Sequence, residues 1–158
     1  MRKPEKTPQE TFATCSADGS FNTIVKPDVE KIQTMLTFAM ADLSVVTRLK
    51  ETAKRDSYDW NVIFKIHYDT LHALAEAFIR FDKIKVDTHE CLFVYLCTKH
   101  AELDCEWNTL ETIRKMRNLS IYEGVPITFD KWKNIEIPLA LYINTLKKIV
   151  EEKLKTEK

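Results

Sequence analysis

The chain has 158 residues, 44% of them hydrophobic and 30% charged, and its 24 basic and 24 acidic side chains leave no net charge. This length fits one domain that can bury a sizeable core. The balanced charge excludes a large nonspecific nucleic-acid surface, which needs an excess of lysine and arginine, but it is compatible with a local basic pocket. Glycine occurs only twice, and this scarcity favours an all-α fold, for which we predict an up-down bundle of four to five antiparallel helices.

The first 27 residues are polar and show no sustained hydrophobic period. We predict that residues 1–27 form a flexible or loosely docked arm and that residues 28–158 form a single helical-bundle domain. The N-terminus lacks the apolar core of a signal peptide, and no apolar run approaches the length of a membrane span. We therefore expect a cytoplasmic protein with no membrane partner, whose four cysteines are reduced thiols.

Five helices are predicted in the remaining chain. The first begins at Asp28, a candidate N-cap, and ends near Lys54, and its apolar residues recur at steps of three and four. They are Val29, Ile32, Leu36, Ala39, Leu43 and Val46. The second helix spans about 58–81, and its apolar stripe includes His67.

The third helix is predicted over about 88–100 and the fourth over about 102–122. The fifth begins near Thr128 and reaches the C-terminal lysines, with a kink or a restart at Pro138. Short connections between these helices favour antiparallel neighbours.

The end of the fourth helix is the most informative stretch of the chain. Its apolar stripe continues through Arg117 to Ile121, and Gly124 supplies a left-handed helix stop. Arg117 is thus expected on the inner face, where an unpaired charge costs several kcal/mol. Either Arg117 forms a structural ion pair, or it lines a cleft where its planar guanidinium can bind phosphate.

Two patterns together resemble the HEPN family, small all-helical domains linked to nucleotide binding. Arg117, Asn118 and Tyr122 give Arg-Asn-x-x-x-[His or Tyr] late in a helical bundle, before one closing helix. The second helix carries the aromatic-x3-His-x3-Glu spacing in Tyr68, His72 and Glu76. The likeness covers roughly residues 28–152 and rests on the order of these short segments.

The resemblance implies a cleft between the second and fourth helices, with four ligand-binding residues. Arg117 would anchor a phosphate, Asn118 would orient the ligand or the arginine, Tyr122 would stack or donate a hydrogen bond, and His72 would be a secondary contact. It also implies a homodimer, or a complex with a minimal nucleotidyltransferase partner, that binds a nucleotide or RNA.

Catalytic members of the family act on RNA through the arginine and the histidine of this motif. Here Tyr122 stands at the histidine position, and a phenol with a reference pKa of about 10 is a poor general base. We therefore expect a noncatalytic binding module. The alternatives are a metal-independent endoribonuclease of toxin type, using Arg117 with Tyr122 or His72, and a purely structural helical adaptor.

No metal or cofactor is expected. His67 and His72 are five residues apart and do not share a helix face, so His67 is interpreted as a core histidine. Cys97-x-x-His100, with Cys105 close behind, lacks the four ligands of a closed zinc site. No glycine-rich phosphate loop is present.

Overall fold

The computed structural model describes residues 4–157, so residues 1–3 of the predicted arm and residue 158 of the predicted domain lie outside the description. The described chain is 76% helical, and the all-α class is confirmed at this level. Its elements are α1 (Pro8–Ala17), β1 (Phe21–Thr23), α2 (Val29–Thr52), α3 (Asp59–Ile79), β2 (Ile84–Val86), α4 (His89–Lys99), α5 (Trp107–Glu123) and α6 (Phe129–Thr156), with 3-10 turns at Arg80–Asp82 and Ala101–Leu103.

Local capping chemistry sets most helix ends. Asp28, Thr88 and Thr128 each accept a hydrogen bond from the backbone N–H three residues later, at the starts of α2, α4 and α6. Gly124 ends α5 with a φ of 65°, and its N–H donates to the Leu119 carbonyl. These boundaries agree with the sequence prediction to within a few residues.

One predicted helix boundary is wrong. The fourth helix does not begin at Glu102, because Asp104 adopts a left-handed φ of 52° and α5 starts only at Trp107. Of the two outcomes predicted at Pro138, a kink or a restart, the restart does not occur, since α6 continues through the proline as one element. Ile135 and Leu139 are buried on either side of the proline, so packing offsets the backbone hydrogen bond that proline cannot make.

Helix α3 lies at the centre of the bundle, and its predicted stripe is fully buried. Trp60, at the start of α3, packs 5.0 Å from the Phe129 ring at the start of α6. Phe78, near the end of α3, lies 5.9 Å from the Lys153 ammonium near the end of α6. These contacts show that α3 and α6 run in the same direction, so neighbouring helices are not antiparallel throughout.

The described part of the predicted arm is folded against α4. Thr7 and Glu10 form a capping box that starts α1, and Cys15 forms a disulfide with Cys91 of α4. Strand β1 then pairs antiparallel with β2. Residues 8–23 are therefore docked on the bundle through contacts to residues more than sixty positions away, although the segment has little periodicity of its own.

The same disulfide corrects the prediction that all four cysteines are reduced thiols. Cys97 and Cys105 remain free and half-buried. Disulfides persist in oxidising compartments and are rare in the cytoplasm, and the cytoplasmic location stays a prediction. Among residues 4–157, none of the helices combines the length and apolar character needed to cross a bilayer.

Candidate functional site

Arg117 is half-buried on α5 and packs between two aromatic faces. Its guanidinium carbon lies 5.6 Å from the ring centroid of Tyr68 and 5.9 Å from that of Tyr122. One terminal nitrogen donates to the Asn118 side-chain oxygen at 3.3 Å. The Nε atom is buried and has no hydrogen-bond partner in the described chain. The positive charge is thus stabilised by the two rings and by one neutral amide.

The predicted inward stripe ends at this arginine. Trp107, Leu110 and Ile113 of α5 are buried, as predicted. Ile121, also expected to face inward, is 46% exposed, and Tyr122 is 71% exposed. The prediction for Ile121 is wrong because the last turns of α5 extend beyond the core.

A pocket of about 130 Å³ lies between α3 and α5, the helices that correspond to the predicted second and fourth. Arg117 lines it together with Lys65, so two cationic side chains border the same cavity. The rest of its wall is mainly apolar, with contributions from Val62, Phe64 and Ile121. Asn118, Tyr122 and His72 are not among the lining residues, so the predicted ligand set is divided between the pocket and its surroundings.

His72 belongs to a second group of side chains, on the α4 side of Arg117. Its ring centroid lies 3.9 Å from that of His89. Nδ1 of His89 is 2.8 Å from the hydroxyl of the fully buried Tyr68. On the other side of His72, a Glu76 carboxylate oxygen lies 4.0 Å from Nε2. The aromatic-x3-His-x3-Glu pattern therefore does bring its three residues together, around a histidine from another helix.

The electrostatics of this group follow from burial and from Arg117. Burial, with a smaller contribution from the Arg117 charge, lowers the pKa of His72 to about 4. Burial, the neighbouring His72 and the Arg117 charge together lower the pKa of His89 to about 4. Burial also raises the pKa of Tyr68. At neutral pH both imidazoles and the phenol are uncharged, so Arg117 faces neutral groups here.

Asp69 is a carboxylate whose charge interacts with that of Arg117. Burial raises the pKa of Asp69, while Lys65 and Arg117 partly counter that rise. Yet Asp69 and Arg117 form no ion pair: none of the carboxylate contacts within 4.0 Å in the described chain involves Arg117. The Asp69 carboxylate therefore acts on Arg117 only at a distance.

His89 is the site residue that the sequence analysis missed. It is the first residue of α4 and follows the N-cap Thr88, so it has no place in an apolar period. Its neighbours His72 and Tyr68 are 17 and 21 residues away. No pattern in the sequence relates these three residues, because only tertiary packing brings them together.

The other histidines have structural surroundings. His67 is buried, with Nδ1 2.7 Å from the Ile63 carbonyl and its ring 4.6 Å from Trp132, which confirms the interpretation as a core histidine. His100 contacts Asp82 and Glu102 through its two ring nitrogens. Among residues 4–157, no group of three or more histidines, cysteines or carboxylates is arranged to hold a metal ion.

The chain matches no protein-family model, and neither a curated protein nor a solved structure is significantly similar to it. The HEPN resemblance therefore rests on the quoted residues alone and stays a prediction.

Proposed function

We propose that this protein is a noncatalytic module that binds the phosphate of a nucleotide or of RNA, with Arg117 as the anchor. The observation that carries the proposal is the state of Arg117: a half-buried guanidinium with an unpartnered Nε and no carboxylate within ion-pair distance in the described chain. Burying a charge without a partner is costly. A bound phosphate supplies the missing partner through two parallel hydrogen bonds.

Neighbouring residues support an anion at this position. Lys65 borders the same pocket and adds a second positive charge. The neutral His72 and His89 lie on the other side of the arginine, where the Glu76 carboxylate is next to His72 and forms no ion pair with Arg117. Asn118 holds one end of the guanidinium, which is the orienting role expected for it.

The partner part of the proposal rests on exposed apolar side chains near the pocket. Val62, Leu119, Ile121 and Tyr122 are all exposed large residues. We propose that a second copy of the chain, or a minimal nucleotidyltransferase, covers them, as the HEPN resemblance implies. Sedimentation at tens of micromolar tests this, and a strictly monomeric profile for the isolated chain would remove the homodimer.

The first experiment is a thermal-shift titration of wild type and Arg117→Ala with AMP, ATP, GTP and a short RNA. Ligand at a hundredfold over its dissociation constant stabilises the folded state by about 2.7 kcal/mol. We expect a shift in wild type and a loss of affinity of at least about tenfold in the variant, which is about 1.4 kcal/mol. Arg55→Ala is the matched control, because Arg55 is an exposed arginine paired with Asp130.

A metal-independent endoribonuclease is the second candidate function. The close pair of His72 and His89 is the observation that favours it, because two neutral imidazoles lie together beside Arg117. Their pKa of about 4 makes each a weak proton acceptor at neutral pH, so only slow cleavage is expected. Cleavage of RNA in EDTA that is abolished by Arg117→Ala and reduced by His89→Gln would establish this reaction. Nucleotide binding without any cleavage supports the noncatalytic module.

A structural adaptor is the remaining alternative. In that case Arg117→Ala lowers the melting temperature strongly and no nucleotide or RNA shifts the wild type. The phosphate proposal requires the reverse, a small change in stability and a large change in binding.

A further inference from the structure

The disulfide Cys15–Cys91 connects the N-terminal helix to the candidate site. Cys91 lies in the first turn of α4, two residues after His89 and one after Glu90. His89 packs on His72 and Tyr68, while Glu90 lies 3.4 Å from Arg114 on α5. The disulfide therefore attaches α1 to the turn of α4 that carries His89 and Glu90.

The disulfide is one of few buried contacts that hold α1. Of its ten residues only Thr11 and Cys15 are buried, and the Thr11 hydroxyl has no hydrogen-bond partner in the described chain. Phe12 is half-buried, with its ring tilted 4.9 Å from the Phe21 ring and 5.2 Å from the Lys99 ammonium of α4. A helix of this length is marginal in isolation, so we expect the disulfide to supply much of the stability of its position on α4.

The chain just before α1 and the buried edge of α1 close one side of the seam between α4 and α5. Glu5 forms an ion pair with Lys115 of α5. Thr11 borders a cavity of about 130 Å³ together with Glu90 and Glu111. Both glutamates also contact Arg114. Loss of α1 would remove one wall of this pocket next to the first turn of α4.

We propose that Cys15–Cys91 is a redox modification site, at which thiol–disulfide exchange with a dithiol reductant releases α1 and loosens the first turn of α4. A thiolate of the reductant attacks one sulfur, the Cys15–Cys91 bond breaks and a mixed disulfide forms. The second thiol of the reductant then displaces the protein sulfur. Two electrons and two protons pass to the protein, which gains two thiols, and the reductant becomes a disulfide.

Burial governs how this exchange proceeds. Cys15 is 3% and Cys91 7% exposed, so the attacking thiolate reaches a sulfur when α1 opens transiently. The free cysteines do not compete, because burial raises the pKa of Cys97 to about 12 and of Cys105 to about 11 and keeps both protonated. The exchange therefore needs an external dithiol.

Hydrogen–deuterium exchange of the full chain, with and without dithiothreitol, tests the release of α1. We expect the amides of α1 to lose their protection on reduction and those of the first turn of α4 to lose part of it, while the centres of α2, α3 and α6 stay protected. Cys15→Ser should behave like the reduced protein and be insensitive to dithiothreitol, whereas Cys97→Ser should behave like wild type. If thiol titration shows two new thiols and the amides of α1 nevertheless stay fully protected, the proposal is overturned.

The consequence for the site rests on the proposed phosphate-binding function and needs a separate measurement. We expect the dissociation constant for AMP to rise severalfold on reduction of wild type and to be unchanged by dithiothreitol in Cys15→Ser. Equal affinity in both redox states would overturn the link to the site. Absence of AMP binding in the oxidised protein would instead reject the proposed function, while the exchange experiment would still decide whether α1 is released.

Discussion

Two arginines one turn apart on α5 have opposite surroundings. Arg114 donates two hydrogen bonds to Glu111, at 2.6 and 3.0 Å, and also lies 3.4 Å from Glu90. Arg117 contacts two aromatic rings and one amide, and in the described chain it has no carboxylate partner. The same helix therefore presents one neutralised cation and one available cation.

The difference shows that the partners of an arginine, and not its place in a helical period, determine what it can do. Glu111 is three residues from Arg114 on the same helix, and the side chains of both are shielded from solvent. Such a pair is structural, because removing one partner leaves the other charge buried. Arg117 has no such partner along α5, and no carboxylate of the described chain lies within ion-pair distance of its half-buried charge.

The largest expected effect is on the free energy of unfolding, which should differ between the variants of the two arginines. Arg114→Ala should lower the free energy of unfolding by about 3 kcal/mol, because it leaves the Glu111 carboxylate shielded from water without its cation. Arg117→Ala removes cation–π contacts and should change it by less than about 1 kcal/mol. Urea denaturation of both variants measures this, and equal losses would abolish the distinction.

The next largest effect is the loss of folding stability at acid pH, which His72 should cause. The folded-state pKa of His72 is about 4, below its ordinary value of 6.5, so the stability it contributes is present above pH 6.5 and is lost as the pH falls toward 4. At pH 5 this loss amounts to about 2 kcal/mol for one such histidine. Denaturation at pH 8 and pH 5 should show a smaller acid loss in His72→Gln than in wild type.

The two arginines should also differ in this assay. Arg117 lowers the pKa of both His72 and His89, whereas Arg114 acts only on His89, as the smallest of its causes. Arg117→Ala should therefore reduce the acid loss more than Arg114→Ala does. Equal reductions in the two variants would mean that the two charges act on the histidines alike.

The smallest expected effect concerns the end of the helix that presents Arg117. Gly124 has a φ of 65° and nothing within 4 Å of an added Cβ, so Gly124→Ala should cost about 1 kcal/mol through backbone strain alone. Gly19→Ala is a matched control, since Gly19 has a φ of 71° and the same open surroundings. A cost well above that of Gly19→Ala would indicate that the end of α5 is packed more tightly than the structure shows.

Much of the fold could be predicted because the signals are local. The N-caps Asp28 and Thr128 and the stop at Gly124 depend on residues three to five positions away. The buried stripe of α3 follows from apolar spacing within one helix. The late start of α5 was missed because the left-handed Asp104 lies in a stretch that otherwise continues the helical period.

The site was predicted only in part, for the opposite reason. Arg117 was singled out because a cation on an apolar stripe is conspicuous. In the structure it lines a pocket between α3 and α5, and its role in binding stays a prediction. His89 and the disulfide were missed because each depends on a contact across the fold, His89 with His72 and Cys15 with Cys91.

The sequence by itself determined that the chain is mostly helical, where most helices begin and end, and that Arg117 lies at the edge of an inner face. Periodicity and capping suffice for this because they act within a few residues. The tertiary structure decided which charges are paired, which histidines meet and whether the N-terminal segment is docked. These outcomes depend on side chains that only packing brings together, so the available Arg117 and the neutralised Arg114 cannot be told apart until α3, α4 and α5 are assembled.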